Sequence, residues 1–360
     1  MKAIIPTGGR GTRMRPLTFS TNKHFIPLAN KPLIFYPIET VVKSGIKDIA
    51  ITYNPGGLDE AKAQLGDGGR WGIDITYVLQ AEPKGLANIF QVCEQYLEGK
   101  SFVMHLGDNI FVDGIEDLVL EFEKEKPEGL VAMVHHSENT RLGVPYFDKD
   151  GHLVRYVEKP EKPPHDFAIP GIYFFSTEVF ECFRGEKAIK PSDRGEYEIS
   201  APYQWLIDNG YKVLAQEYKG IWLDPGKFDD WLEANSYLLK NSLEEKIESK
   251  PDSETKIEGV VSIGQGCTIV KSKIKGPVII GDNVTIESSE VGQYTSISDS
   301  CQIINSKVEN SVLMKGVKIV DVLDHPVKGS LIGTDTEVLG TNGRANTTSI
   351  FVGEKSKIQV

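Results

Sequence analysis

Apolar residues along the first two-thirds of the chain come in short blocks that alternate with helix-spaced stretches. Ala3-Ile4-Ile5, Ile49 to Tyr53, Ile73 to Val78, Phe102 to Leu106 and Val131 to Val134 read as strands. Leu153 to Val157, Ile172 to Phe175 and Val213 to Tyr218 follow in the same manner. Between them, residues 33–44, 58–65 and 86–97 carry helical spacing, with Gly45 and Gly99 where helix ends are expected. Pro37 is expected to kink the first of these helices. Such alternation predicts a mainly parallel sheet covered by helices. Residues 227–248 then predict a long helix that fades into the polar stretch Glu248 to Thr255, the expected linker.

Beyond that stretch a repeat takes over. Ile263, Ile280 and Ile297 are 17 residues apart, as are Ile269, Ile286 and Ile303, and Ile274, Val291 and Val308. Ser272, Ser289 and Ser306 keep the same period, and so do Cys267, Val284 and Cys301. Within a unit the apolar steps are six, five and six residues. This is the hexapeptide signature of a left-handed parallel β-helix, whose stacked coils bury each other's aliphatic faces. Val312 to Val320 reads as a fourth, imperfect coil. The expected fold is therefore α/β, a Rossmann-like, mostly parallel sheet domain over residues 1–248, followed by a left-handed β-helix over 257–325. Residues 326–360 carry no readable pattern and are expected to form a tail or cap.

Composition narrows the functional classes. A chain of 360 residues has ample length for two domains, and its formal net charge of −11 argues against general binding to nucleic acid or anionic membranes. Any phosphate site must then be a local basic pocket. No run approaches the ~20 apolar residues needed to span a bilayer. Cys93, Cys182, Cys267 and Cys301 lack C-x-x-C spacing and read as reduced, buried thiols of a cytoplasmic protein.

The chemistry begins directly after the first strand, where Pro6 opens into Gly8-Gly9-Arg10-Gly11-Thr12-Arg13. Glycines there let backbone N–H groups approach an anion, and Arg13 and Lys23 add positive charge beside them. The loop fits neither a Walker motif nor the dinucleotide fingerprint, which would need glycine where Met14 stands. Asp108, in Leu106-Gly107-Asp108-Asn109, follows an apolar strand and reads either as a magnesium ligand or as a turn cap. Asp224, in Trp222-Leu223-Asp224-Pro225-Gly226, reads either as a second carboxylate ligand or as an exposed turn residue. Glu158-Lys159-Pro160 taken alone is an ordinary exposed pair at a strand end. His135 and His136 are neighbours on a strand, so they point to opposite faces and cannot readily chelate one ion.

Residues Gly8 to Arg13, Met14, Pro16, Leu17, Thr18, Lys23, Lys31 and Pro32 together resemble the signature of the sugar-1-phosphate nucleotidyltransferases, roughly G-G-x-G-T-R-[LM]-x-P-[LV]-T followed by a lysine and Lys-Pro. The resemblance covers residues 1–240 closely, and longer members of the family carry a β-helix extension. It is nearest to the thymidylyltransferase branch, which has L-G-D-N and W-x-D-T-G where Asp108, Asn109 and Asp224 stand; Pro225 replaces the usual threonine. Gln80 to Ala87 is similar to that branch's Q-x-x-P-x-G-L-A, which implies Gln80 and Gly85 as readers of a pyrimidine base and dTTP or UTP as nucleotide. The resemblance further implies Gly8, Gly9, Gly11, Thr12 and Arg13 as nucleotide-binding residues, and Asn109, Gly143, Glu158 and Lys159 as sugar-phosphate residues. It implies Mg2+ on Asp108 and Asp224, with Arg13, Lys23, Asp108, Lys159 and Asp224 as the catalytic set. Pro145 and Pro170 depart from the short enzymes of the family at the sugar end, and Asn88 stands where relatives often have Gln.

The expected activity is transfer of a nucleotidyl group from dTTP or UTP to a sugar 1-phosphate such as glucose 1-phosphate, in a homo-oligomer. Two rivals stand beside it. One is a non-catalytic regulatory or scaffold relative, against which the retention of all five catalytic side chains argues. The other is a bifunctional enzyme with acetyl transfer in the β-helix, a chemistry often served by a histidine; His325 is the single histidine past residue 165 and lies beyond the regular repeat.

Overall fold

The structure is a computed structural model and describes residues 1–9, 11–323, 326–340 and 350–359; Arg10 and His325 thus lie outside the described residues. The chain divides into two compact units, Met1–Gly9 with Ile34–Leu223, and Arg10–Leu33 with Asp224–Val360.

The first unit is built on an eight-stranded sheet. Across it run Phe167–Ala168, Gly129–His135, Ile172–Phe175, Phe102–His105, Lys2–Pro6, Asp48–Tyr53 and Asp74–Leu79, with Val213–Glu217 also paired to Gly129–His135. Phe102–His105, Lys2–Pro6, Asp48–Tyr53 and Asp74–Leu79 are mutually parallel. Ile172–Phe175 runs antiparallel between two neighbours, so the sheet is mixed. The β-branched and aromatic blocks of the sequence are these strands; Lys2–Pro6, Phe102–His105 and Ile172–Phe175 are buried throughout, whereas the edge strand Asp74–Leu79 is partly exposed. Phe90, Phe102, Phe175 and Tyr203 are fully buried in the core between them. The first long helix, Phe35–Lys43, accommodates Pro37 without the expected kink. Pro37 falls in its first turn, where no N–H donor is required. The helical stretch of 86–97 is broken at Cys93 into Leu86–Val92 and Glu94–Leu97.

In the second unit the 17-residue period becomes a parallel β-helix of three faces, carrying seven, five and six strands among the described residues. Ile263, Ile280, Ile297, Leu313 and Ile332 stack in register along one face, and Ile269, Ile286, Ile303, Ile319 and Val338 along another. All ten are buried. The coils begin earlier than the repeat suggests. Lys246–Ile247 pairs with Ser262–Ile263, and Lys256–Glu258 with Lys273–Lys275, so the polar stretch 248–255 lies within a first coil. They also continue past residue 325, through Val327–Lys328, Leu331–Ile332, Glu337–Leu339, Phe351–Val352 and Lys357–Gln359. The repeat is lost to sequence reading because the spacing changes, from 17 residues to 16 at Ile303–Ile319, 19 at Ile319–Val338 and 20 at Val338–Ile358.

The serine period has a structural purpose. Ser272 Oγ accepts from the Ser289 N–H (3.2 Å), Ser289 Oγ from Ser306 N–H (3.1 Å) and Ser306 Oγ from Val322 N–H (3.0 Å). Each hydroxyl satisfies a corner amide that the strand ladders leave unpaired. Ser306 is fully buried and also donates to the Ile304 carbonyl. Ser306→Ala therefore strands the Val322 N–H, and we expect it to cost about 1–3 kcal/mol in urea unfolding.

Candidate functional site

In the first unit the motif residues gather at one edge of the sheet. Four adjacent parallel strands end in Thr7-Gly8, Asn54, Gln80 and Leu106-Gly107-Asp108-Asn109. The carboxyl edge of such strands is where ligands of open α/β sheets collect. Thr7 N–H reaches Thr52 O (2.9 Å) and Gln80 N–H reaches Tyr53 O (2.9 Å), so the strand pairing carries the loops out in register.

Gly8 and Gly85 are glycines for space. A Cβ on Gly8 would lie 3.3 Å from both Asn54 Oδ1 and Gln80 Oε1. One on Gly85, whose φ is 98°, would lie 2.5 Å from the Tyr197 carbonyl. Gln80 is buried and donates from Nε2 to Asn88 Oδ1 (3.2 Å), while Asn88 donates to Gln91 Oε1 (3.1 Å). Asn88 thus orients the Gln80 amide. Asn54 is the residue that motif reading missed. Its Oδ1 is buried without a hydrogen-bond partner, although it borders Gly8 and Gln80. Its position directly after a central parallel strand is the signal that could have found it.

Asn109 is a structural pin for Asp108. Its Nδ2 donates to Asp108 Oδ1 (3.1 Å), and its own Oδ1 accepts from Gly171 N–H (3.1 Å) and Trp222 Nε1 (2.8 Å). Trp222–Leu223 pairs antiparallel with Ile110–Phe111, placing Leu223 opposite Ile110; Asp224 follows it in the chain. Both aspartates are half-buried, with hard carboxylate oxygens of the kind magnesium takes.

At the sugar end, Gly143 pairs with Glu158 across two antiparallel strands, and a Cβ on Gly143 would overlap the Tyr156 ring. Lys159 N–H donates to Leu142 O (2.9 Å), and Lys159 holds a φ of 47°, an uncommon left-handed conformation for a side-chain-bearing residue. Burial pushes the Glu158 carboxyl above its ordinary value and the Glu198 charge adds to this, against the Tyr156 hydroxyl, Lys159 and Arg194. Glu198 in turn accepts from Ser192 Oγ (2.9 Å) and Arg194 (2.8 Å). A raised folded value means no penalty below the usual glutamate range near pH 4, and a penalty that grows as pH climbs from there through the folded value, above which it is constant. Glu158→Gln should then melt higher than the parent at pH 8 and converge with it near pH 4 in thermal scans.

In the second unit, Thr12–Met14 forms a 3-10 turn after Gly11, whose φ is 53°. Thr18 Oγ1 donates to Gly11 O (2.7 Å), and a Cβ on Gly11 would lie 3.3 Å from Lys23 Cβ. Lys23 is buried, within the turn Lys23–Phe25, whereas Arg13 is exposed. The Arg13 guanidinium lies 3.3 Å from where a Gly226 Cβ would be, so Gly226 leaves it room.

Features outside the motifs are quieter. His135 pairs with Asp166 (2.9 Å), whereas the His136 ring lies 5.6 Å from that of Trp222. Cys93 and Cys182 are free thiols that burial pushes up to about 12, which leaves them unreactive. Among the described residues no helix is long and apolar enough to cross a membrane.

The fold and this edge of motif residues define a class. Residues 2–241 match the Nucleotidyl transferase family, and the chain belongs to it. It is 38% identical to a glucose-1-phosphate thymidylyltransferase of Streptomyces antibioticus, covering 100% of this chain and 99% of that one. A glucose-1-phosphate thymidylyltransferase of Streptomyces griseus is 34% identical, again over 100% and 99%. Among solved structures, a Bacillus anthracis protein assigned as a glucose-1-phosphate thymidylyltransferase superposes with a TM-score of 0.61 at 32% identity, over 66% of this chain and 94% of its own.

Proposed function

We propose that this protein transfers a nucleotidyl group from dTTP, or UTP, to glucose 1-phosphate, releasing pyrophosphate. The observation that carries the reading is the Gln80–Asn88 amide pair beside Gly8 at the carboxyl edge of the sheet. The likeness to thymidylyltransferases over the whole chain supports it. An oriented amide next to a side-chain-free strand end suits a pyrimidine's imide edge and the phosphates beyond it.

In this reading Gln80, Gly85 and Asn54, through its unpaired Oδ1, bind the nucleotide, while Gly8, Gly9, Gly11 and Thr12 line its phosphates. Arg13 and Lys23 neutralise the triphosphate and the departing pyrophosphate. Lys159 grips the phosphate of the sugar, with Asn109, Gly143 and Glu158 about the ring. A sugar-phosphate oxygen forms the new bond to the α-phosphorus as the α–β phosphoanhydride bond breaks in line. The nucleophile is already an anion, so positioning and charge neutralisation suffice without a covalent intermediate. Asp108 and Asp224 would hold magnesium, which supplies charge stabilisation at the reacting phosphates. The reading places the protein in the cytoplasm, where both substrates are made.

A matrix of nucleoside triphosphates against sugar 1-phosphates, read by pyrophosphate release, tests the proposal. Turnover highest with a pyrimidine triphosphate and glucose 1-phosphate is expected. Absence of turnover with every pair, or a purine preference, would overturn it.

A further inference from the structure

The segment Arg10–Leu33, which carries Arg13 and Lys23, belongs to the same compact unit as the β-helix. Within it, Pro27–Leu28 and Lys31–Pro32 form a two-stranded hairpin with Leu28 opposite Lys31. The two residues of its turn, Ala29 (φ 47°) and Asn30 (φ 59°), are both left-handed. A type I′ turn requires this, but alanine adopts it at a cost of roughly 1 kcal/mol, so something must hold the turn in place.

The fourth coil and the helix Phe228–Ser242 do so. Asn30 Nδ2 donates to Ile297 O (2.6 Å), and Ser298 Oγ donates to Asn30 Oδ1 (3.3 Å). The Ala29 N–H donates to Asn235 Oδ1 (3.0 Å), which also accepts from Ser296 Oγ (2.7 Å), while Asn235 Nδ2 donates to Tyr294 O (3.1 Å). Asn235 and Ser296 are fully buried, so this polar cluster is satisfied away from water, where its bonds are hardest to replace. Trp231 Nε1 adds a bond to Pro27 O (3.1 Å). At the far end of the coils, a Cβ on Gly353 would lie 3.2 Å from Pro16 O, so the last turns approach the same segment.

The grip is transmitted along the hairpin stem. Leu33 N–H bonds Ile26 O (3.1 Å), and Phe25, Ile26 and Leu28 are buried. Lys23 lies at the root of this stem, packed beside Gly11. From these contacts we infer that the β-helix is a positioning element for the nucleotide segment: coil residues 294–298 fix the Ala29–Asn30 turn and, through the stem, the placement of Lys23. The inference rests on the nucleotidyl-transfer reading. Asn30, Asn235 and Ser296 are then positioning residues, because they act through Lys23.

Asn30→Gly tests it, since glycine keeps the left-handed turn and deletes only the amide's two bonds. Binding of dTTP with magnesium is measured by calorimetry, alongside KM values for dTTP and glucose 1-phosphate. We expect dTTP affinity to fall about tenfold and its KM to rise in step, with the KM for glucose 1-phosphate within about twofold, as a local fault at one substrate's phosphates would give. Ser306→Ala, which weakens another corner of the same coil and removes no bond to the Ala29–Asn30 turn or its partners, should lower the unfolding midpoint while leaving dTTP binding intact. Unchanged dTTP affinity in Asn30→Gly, or an equal loss in Ser306→Ala, would overturn the inference. Turnover of the parent protein in the substrate matrix separately decides the underlying reading.

Discussion

Asp108→Asn will lower pyrophosphate release at least about a hundredfold and leave the melting temperature within a degree or so of the parent. The two halves of this result come from different atoms. The amide replacement keeps an oxygen for the Asn109 Nδ2 bond, and Asn109 keeps its bonds from Gly171 N–H and Trp222 Nε1. The pin at the end of the sheet therefore survives. What disappears is the negative charge, and a neutral amide oxygen is a weak magnesium ligand beside a competing hydration shell. Raising magnesium should recover part of the loss. The same asymmetry is expected for Asp224→Asn. Near-parental turnover in Asp108→Asn would remove it from the metal set and leave a turn-capping residue.

Lys159 offers the sharper case, because its backbone stores strain. Both Lys159→Ala and Lys159→Gly should lose activity at least about a hundredfold, the scale on which a fixed cation at a reacting phosphate acts. Their stabilities should differ. With φ at 47° and proline following, position 159 suits glycine, and the substitution should relieve about 1 kcal/mol, partly offset by the freer unfolded chain. Lys159→Gly is thus expected to be at least as stable as the parent in urea unfolding, while nearly inactive. That pair of results would mark Lys159 as a residue that serves function at a cost in stability. Should Lys159→Gly be the less stable variant, the strain argument fails, whatever its activity.

How far the sequence carried these conclusions differs by element. The strands Asp48–Tyr53, Asp74–Leu79, Phe102–His105 and Ile172–Phe175 were legible because each is a dense apolar block. The antiparallel insertion of Ile172–Phe175 was not, since strand direction is decided by connections rather than composition. Coils over 257–320 announced themselves through identical spacing. The later ones were hidden by spacings of 19 and 20, although Val338 and Ile358 stay on the ladder. Asp108 and Gln80 could be picked out by their place after strands and by resemblance. Asn54 shares that placement yet sits in no motif, and only its unpaired buried oxygen distinguishes it. Least legible was the allegiance of the segment 10–33. Its ties to Asn235 and Ile297 span more than 200 residues, and no local pattern encodes such a bond.

Lys246–Ile247 stands at the end of one ladder and Lys256–Glu258 at the end of another, with Ile247 43% and Ile257 38% exposed. An open ladder of parallel strands invites another chain to add on, and an unbroken aliphatic end would template fibres. Here the aliphatic side chains alternate with Lys246, Lys256 and Glu258, whose charges any added strand would have to strip of water. The end of the stack therefore works as a fence against runaway polymerisation.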